Sequence, residues 1–269
     1  IHIMTIKLII SLIHLIINSN IFQYSENDWG LTGHRVVALV SEKYLIESAE
    51  DSIYSILNGN SLVSISNYAD DIKSDKRFDK YKSWHYLNIN SDDDYQNLLS
   101  KKNADIVYAI NKCIEVLSDK NQSNKEKAFY LKLLVHFVGD VHQPLHVGRI
   151  KDKGGNNIKV KWFGKLTNLH KVWDTEIINS HQMSYTELSN DLPVLVLLEL
   201  NKVQNDSLGV WVKESHEIAR MIYKDLELKT NLGYEYKYKY LDVVKLRLFK
   251  GGIRLASILN KIYINDLLC

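Results

Sequence analysis

The sequence has 269 residues, 45% of them hydrophobic, so it is long enough to bury the core of one domain or at most two. Its formal net charge of +2 is too small for a general surface that binds nucleic acid mainly through counterion release. Two cysteines, Cys113 and Cys269, exclude a disulfide framework and a thiolate metal site.

The N-terminal part of the chain has the pattern of an export signal. One lysine, Lys7, precedes an apolar run over residues 8–17. That run has the length of a signal-peptide core and is shorter than a typical transmembrane helix. We expect residues 1–28 to be a cleaved signal peptide and residues 29–269 to form one domain. A buried or membrane-anchoring N-terminal helix is the alternative.

Apolar residues recur at helical spacing along most of the remaining chain, and prolines and glycines are few. Both features favour a mainly α-helical fold. Residues 153–163 begin with glycines and then alternate, which predicts a loop and a small β-hairpin strand. Residues 84–89 also alternate and predict a short extended piece, whereas residues 68–73 predict a short helix or loop. The predicted helices are residues 35–45, 51–57, 104–117, 125–141, 172–178, 185–188, 194–200, 208–223 and 243–262.

The stretch LKLLVHFVGDVHQPLHVG carries the densest set of chemically active side chains. His136 and Asp140 are four residues apart, so they share one face of a helix. An imidazole and a carboxylate on an apolar helix are costly to bury unless something pairs with them. A proline ends the helix, His146 follows, and His170 and Asp174 repeat the four-residue spacing. This pattern predicts a metal site, and its imidazole and carboxylate ligands suit zinc.

The motifs W-G-x-x-G-H, A-D, W-H-Y, H-x-x-x-D-x-H-Q-P-L-H, G-G-N and N-L-H-x-x-W-D follow one another along the chain. This order resembles the zinc-dependent single-strand-specific nucleases of the S1/P1 type. The resemblance covers Trp29 to about Glu176 by motif and extends to the C-terminus by helix pattern. It implies a mainly α, single-domain fold of the phospholipase C and P1 nuclease type with a small β-hairpin, and we expect a monomer.

The resemblance implies three zinc ions, each with its own ligands. Cleavage before Trp29 would free an α-amino group that binds one ion together with the Trp29 carbonyl oxygen. His142 is not a ligand in such enzymes, so we expect it to support the ligands or the helix end. The implied ligand sets are Trp29, His34 and Asp140 for the first ion, Asp70, His85, His136 and Asp140 for the second, and His146, His170 and Asp174 for the third.

The resemblance also implies the reaction. A hydroxide shared by two zinc ions that Asp140 bridges would attack phosphorus in line with the O3′ leaving group. Asp70 would orient the attacking water, and the third ion would stabilise the leaving oxygen. Lys73 matches a position that contacts phosphate, or else is an ordinary surface lysine. The expected substrates are single-stranded DNA and RNA, cut to 5′-phosphorylated nucleotides, and nucleotides with a 3′-phosphate.

Base contacts would explain a preference for single strands, because unstacking a base costs less there than in a duplex. Tyr86 matches a position on which relatives stack a base. Asn88 stands where fungal members carry an aspartate, which leaves base preference open. Asn156, after two glycines that allow close backbone approach, is the other expected base or sugar contact. For Trp84, core packing and direct contact stay open as alternatives.

Two other functions are weighed against this hypothesis. A zinc phospholipase C shares the fold, but its final pair is His with Glu, whereas this chain has His170 with Asp174. A secreted zinc-binding protein without catalysis is the second alternative. Eukaryotic members carry disulfides, so the lack of cysteine pairs indicates a bacterial member, secreted or periplasmic and without stable membrane association. Cys113 is expected to be a buried apolar residue.

Overall fold

A computed structural model describes residues 30–89, 104–227 and 229–264. This part of the chain is mainly helical with one small sheet, which confirms the predicted fold class. The predicted signal peptide over residues 1–28, Trp29 and Cys269 lie outside the described residues. Within the described residues, no helix combines the length and the hydropathy needed to cross a membrane.

Most of the described residues lie in helices of widely differing length. Between them lie 3₁₀-helical turns at Ile72–Ser74, Lys76–His85, Pro144–Val147 and Ile150–Asp152, and a π-helical turn at Val172–Glu176. The α-helices are α1 (Gly30–Glu42), α2 (Glu47–Ile56), α3 (Leu62–Ile65), α4 (Tyr68–Asp71), α5 (Ile106–Ser118), α6 (Asn124–His142), α7 (Leu169–Lys171), α8 (Ile177–Ser180), α9 (Tyr185–Asn190), α10 (Leu197–Asn205), α11 (Leu208–Leu226) and α12 (Tyr234–Tyr263).

Helix α6 runs through the centre of the core. It begins after Ser123, whose hydroxyl accepts a hydrogen bond from the Glu126 backbone N–H at 3.2 Å. Its second half is buried on all sides, because α1, α5, α11 and α12 pack around it. The helix ends at His142, and Pro144 starts a 3₁₀ turn two residues later. The side chains at this end are therefore buried and held among packed elements.

A three-stranded sheet lies beside this core. Strands β1 (Lys159–Trp162) and β2 (Lys165–Asn168) form the predicted hairpin. The turn uses Phe163 and Gly164, with φ of +46° and +80°, the left-handed values that a tight hairpin turn needs. Strand β3 (Asn231–Leu232) pairs parallel to β1 and was not predicted, because two residues carry no periodic signal.

Several predicted elements differ from the structure. Helix α12 begins nine residues earlier than predicted, at Tyr234, and α1 spans Gly30–Glu42 where residues 35–45 were predicted. Residues 84–89 are extended only after His85, since Trp84 and His85 end a 3₁₀ helix. Residues 172–178 begin as a π-helical turn before α8. Helix α10 starts three residues later than predicted, because Val194, 95% exposed, belongs to an apolar but solvent-facing connection.

Candidate metal centre

Seven elements bring eight side chains together around the C-terminal half of α6. His34 comes from α1, Asp70 from α4 and His85 from the end of the 3₁₀ helix. The remaining five lie on or after α6. Their ligand atoms form three groups within 4.8 Å: His34, His136 and Asp140; Asp70, His85 and His136; and His146, His170 and Asp174.

Asp140 lies at the centre of these groups and is fully buried. Its Oδ1 is 3.5 Å from His34 Nε2 and 3.4 Å from His146 Nδ1. Its Oδ2 is 2.8 Å from His85 Nδ1 and 3.3 Å from His136 Nε2. The two oxygens of one carboxylate therefore face different sets of imidazoles, which is the geometry of a bridging ligand.

Three imidazoles are oriented by backbone carbonyls. A carbonyl oxygen only accepts, so Nδ1 of each ring carries the hydrogen, and in the neutral ring Nε2 carries a lone pair. Metal-binding histidines are commonly oriented in this way by their other ring nitrogen. The Nδ1 to carbonyl distances are 2.9 Å from His136 to Ser66, 2.8 Å from His146 to His85, and 2.7 Å from His170 to Gly154.

These Nε2 lone pairs point at carboxylate oxygens. His136 Nε2 lies 3.2 Å from Asp70 Oδ1, and His146 Nε2 lies 3.3 Å from Asp174 Oδ1. Two acceptors face each other favourably only with a cation between or beside them. Ligand atoms about 2.0 Å from a tetrahedral zinc ion are about 3.3 Å apart. The separations and the donor set therefore fit zinc.

The close contacts between imidazoles and carboxylates also shift the pKa values of the cluster. Burial lowers the pKa of His136, but Asp70 and Asp140 outweigh it and hold that pKa well above its usual value. Burial raises the pKa of Asp140, but His136 and His146 outweigh it and hold that pKa well below its usual value. Burial lowers the pKa of His85 to about 4. The cluster binds positive charge strongly, and a proton and a metal ion compete for it.

The third group is fixed by a residue to which the sequence analysis gave no role. Gln143 donates a hydrogen bond from Nε2 to Asp174 Oδ1, while its Oε1 accepts one from the Leu145 N–H at 2.5 Å. Its signal was present, since it lies inside the H-Q-P-L-H motif. His170 and Asp174 meet across the start of the π-helical turn, with Nε2 and Oδ2 2.9 Å apart. Such turns are common at functional sites.

The predicted substrate contacts lie at different depths. Lys73 Nζ is 2.7 Å from Asp70 Oδ1 and 30% of its side chain is exposed, so it borders the second group. Tyr86 is 44% exposed beside buried His85, and Asn88 is half-buried. Asn156 is exposed, and its Nδ2 donates to the Lys153 carbonyl at 2.9 Å.

Two further residues are buried away from solvent. Trp84 packs edge-on against Tyr108 and Phe137, which favours its core-packing role. His142 lies at the last position of α6. Its Nδ1–H donates to the Val138 carbonyl at 2.7 Å, and its Nε2 accepts from Arg254 Nη1 at 2.9 Å. His142 therefore links the end of α6 to α12. Cys113 is fully buried, as predicted.

Gly139 is required by the close approach of His34 to α6. A Cβ atom added to Gly139 would lie 2.6 Å from His34 Nδ1, and the His34 ring stacks on His136 with centroids 3.8 Å apart. We expect Gly139→Ala to displace the His34 ring, cost about 1–3 kcal/mol of unfolding free energy and lower the zinc content. Urea denaturation and elemental analysis measure both effects.

Gly251→Ala is the matched control for this change. Gly251 is also a buried helical glycine, but an added Cβ would meet its nearest neighbour, Val37, at 3.3 Å. It is expected to keep the wild-type zinc content. A Gly139→Ala protein with wild-type stability and zinc content would show that His34 has room to move.

Comparison with known proteins places this geometry in context. The sequence profile described as S1/P1 Nuclease matches residues 29–264. Endonuclease 4 of Arabidopsis thaliana is 31% identical over 268 residues, which cover 87% of this chain and 89% of that protein. Nuclease P1 of Penicillium citrinum is 28% identical, covering 87% and 98%. Nuclease S1 of Aspergillus oryzae is 31% identical, covering 87% and 91%.

Proposed function

The chain belongs to the S1/P1 nuclease family and is a nuclease, and from this premise we propose that it is a three-zinc phosphodiesterase specific for single strands. It would hydrolyse single-stranded DNA and RNA to 5′-phosphorylated nucleotides and remove the phosphate from nucleotides that carry it at the 3′ position. The observation that supports this most directly is the convergence of imidazole nitrogens and carboxylate oxygens in three groups that fit zinc.

The ligand assignment that we propose is the one implied by the family, and the three groups support it. His34 and Asp140 would hold the first ion together with the amino group and carbonyl oxygen of Trp29. Gly30 lies against the Asp174 backbone, since an added Cβ would be 3.2 Å from the Asp174 carbonyl oxygen. The start of α1 is therefore beside the site. The second ion would take Asp70, His85, His136 and Asp140, and the third His146, His170 and Asp174.

Each protein group then has a defined task. Bound zinc ions would supply positive charge and lower the pKa of a water molecule to near neutral. Asp140 provides the shared negative charge between the first two groups. Asp70, only partly buried, is placed to accept a hydrogen bond from the attacking water and orient it. Lys73, now paired with Asp70, would turn its Nζ donors to a phosphate oxygen.

Recognition of a single strand would depend on residues at the rim of the site. Tyr86 presents an exposed ring next to the ligand His85, and a base that is not stacked in a duplex is free to lie on it. Asn88 and Asn156 would donate to or accept from base and sugar groups. The Gly154 carbonyl, which orients His170, ties the Asn156 loop to the third metal group.

We propose that the enzyme acts outside the cytoplasm as a monomer, in the periplasm or secreted, without stable membrane association. The apolar run over residues 8–17 supports a signal peptide. The family match begins at residue 29, the position proposed for the mature N-terminus. Cleavage there would create the free amino group that an internal peptide bond lacks.

Two alternatives predict different activities. A zinc phospholipase C would hydrolyse phosphatidylcholine, and the Asp174 carboxylate, in place of the Glu of that family, argues against it. A zinc-binding protein without catalysis would close its ions off with protein ligands. The third group here has three protein ligands, which leaves a position of a tetrahedral ion for water or substrate.

The test uses zinc-loaded protein that begins at Trp29, with single-stranded DNA and phosphatidylcholine as parallel substrates. We expect 5′-nucleotides to be released from DNA, the activity to be lost on chelation and restored by zinc, and the lipid to stay intact. Lipid cleavage alone would support the phospholipase function. Zinc binding without turnover of either substrate would support the non-catalytic one.

A further inference from the structure

Positive charge is concentrated in one segment beside the third metal group. Residues 149–171 contain seven basic residues and one acidic residue, a net charge of +6 within a chain of net +2. The rest of the chain therefore carries a net charge of −4. Overall composition conceals this segment, which includes the metal-facing His170, the Asn156 loop and the β1–β2 hairpin.

The acidic residue of this segment is already neutralised. Asp152 is buried and receives hydrogen bonds from Arg149 Nε at 2.8 Å, the Gly155 N–H at 2.8 Å and the Tyr223 hydroxyl at 3.1 Å. The segment also contains five exposed lysines that form no ion pair with a carboxylate among the described residues. They are Lys151, Lys153, Lys159, Lys161 and Lys165.

Strand geometry aligns two of these lysines with the site. Val160 and Trp162 are buried, so Lys159 and Lys161 share the solvent face of β1. Lys159 is directly opposite Asn168 in the hairpin, and opposed residues share a face. Asn168 accepts a hydrogen bond from the Lys171 N–H at 2.8 Å and so caps the helix that carries His170. The lysine face therefore leads to the third group.

Neighbouring acidic residues do not cancel this charge. Beside the hairpin, strand β3 presents neutral Asn231 opposite Lys161. Of the carboxylates that flank it, Glu235 pairs with Lys229 at 2.6 Å and Asp225 with Lys239 at 2.5 Å, and exposed Glu227 offsets at most one of the five lysines. A polyanion would meet an uncompensated positive face on β1.

We infer that Lys159 and Lys161 bind the phosphate backbone of a single strand outside the cleavage position, on the side of the third metal group. The four residues of β1 span about 13 Å, the length of about four stacked nucleotides. This inference rests on the proposed function and adds a specificity element to it. Polynucleotides then gain affinity from contacts along β1 that a dinucleotide held at the cleavage position does not make.

The test compares the zinc-loaded double variant Lys159→Thr/Lys161→Thr with wild type on a 20-nucleotide oligothymidylate and on the dinucleotide TpT. Threonine keeps the preference for a strand and removes the charge. For a single strand, each lost phosphate contact reduces the slope of log affinity against log salt concentration by about 0.7. The double variant loses two contacts, and its KM on the oligonucleotide is divided by that of the wild type at each salt concentration. This ratio should be about sevenfold larger at 50 mM than at 200 mM salt. The kcat on the oligonucleotide and the kcat/KM on TpT should stay within about twofold of wild type.

The control is Lys120→Thr/Lys125→Thr, which removes the same charge at exposed positions near the start of α6. Lys125 precedes His136 by eleven residues, about 16 Å along the helix. A hairpin variant that matches this control on the oligonucleotide, or that loses TpT activity equally, would overturn the inference. Wild-type protein that cleaves neither substrate would refute the proposed function, and the inference with it.

Discussion

Replacing Asp140 by asparagine is expected to lower kcat/KM on single-stranded DNA by at least about a thousandfold and to remove at least one bound zinc ion. A thousandfold loss corresponds to about 4 kcal/mol of transition-state stabilisation. The reason is geometric. One oxygen of Asp140 faces His34 and His146, and the other faces His85 and His136. Asparagine has the same shape, but it carries no charge and offers one oxygen instead of two.

Activity assays and elemental analysis of the purified variant measure this effect. Asp105→Asn is the matched control, because the Asp105 carboxylate belongs to none of the three ligand groups and caps α5 through the Val107 and Tyr108 N–H groups. Asparagine is an equally good cap, so this control should keep wild-type zinc and activity. An Asp140→Asn protein with full zinc content and activity would rule out the bridging role.

The elements that the sequence predicted well are those with a long periodic signal. Residues 125–141 were expected as a helix, and α6 spans Asn124–His142. The hairpin was predicted from alternation and its glycine. The four-residue spacings also placed His136 with Asp140 and His170 with Asp174 on shared faces, and the structure brings each pair together.

Long-range assembly was not readable from spacing. Asp70 and His85 lie far from α6 in sequence, and only the family resemblance suggested that they join it. The orientation of the imidazoles depends on carbonyl oxygens of Ser66, His85 and Gly154. Every residue has a backbone carbonyl, so its position in space, and not its identity, decides the contact.

Irregular helices escaped prediction for a related reason. The 3₁₀ helix Lys76–His85 is largely polar, and its aromatic residues pack on α6, so tertiary contacts override local preference. The π-helical turn at Val172–Glu176 differs from an α-helix by one residue per hydrogen-bonded ring. No sequence pattern of this length distinguishes the two, although the turn decides where Asp174 points.

A buried ionic network behind the metal centre was also beyond sequence analysis. Arg254 is fully buried on α12 and lies between α6 and α11. Its guanidinium bonds Glu214 at 2.8 Å, Asp206 at 2.5 Å and His142 Nε2 at 2.9 Å. Arg247 binds the backbone of the same histidine, because its Nε donates to the His142 carbonyl oxygen at 3.1 Å. The network fastens the last turn of α6, two residues beyond Asp140.

Arg254→Met is therefore expected to lower the unfolding free energy by about 3 kcal/mol, because it leaves Asp206 with no other ion-pair partner among the described residues and His142 Nε2 without its donor. Glu214 stays ionised at neutral pH, since its arginine and lysine partners outweigh burial and lower its pKa to about 2. Methionine fills much of the arginine volume, so the loss reports charge more than packing. Urea denaturation of zinc-saturated protein, with the slope compared between variants, measures the change.

Replacing an exposed cation of α12 by methionine shows how much of the loss of unfolding free energy depends on burial of the ion pair. Lys239 is 54% exposed and pairs with Asp225 at 2.5 Å. Lys239→Met should cost at most about 1 kcal/mol, because water already solvates both partners. Equal losses from Lys239→Met and Arg254→Met would mean that the buried network adds no stability of its own. A much larger loss for Arg254→Met would show that the contacts of this buried arginine at the end of α6 supply stability that a surface ion pair does not.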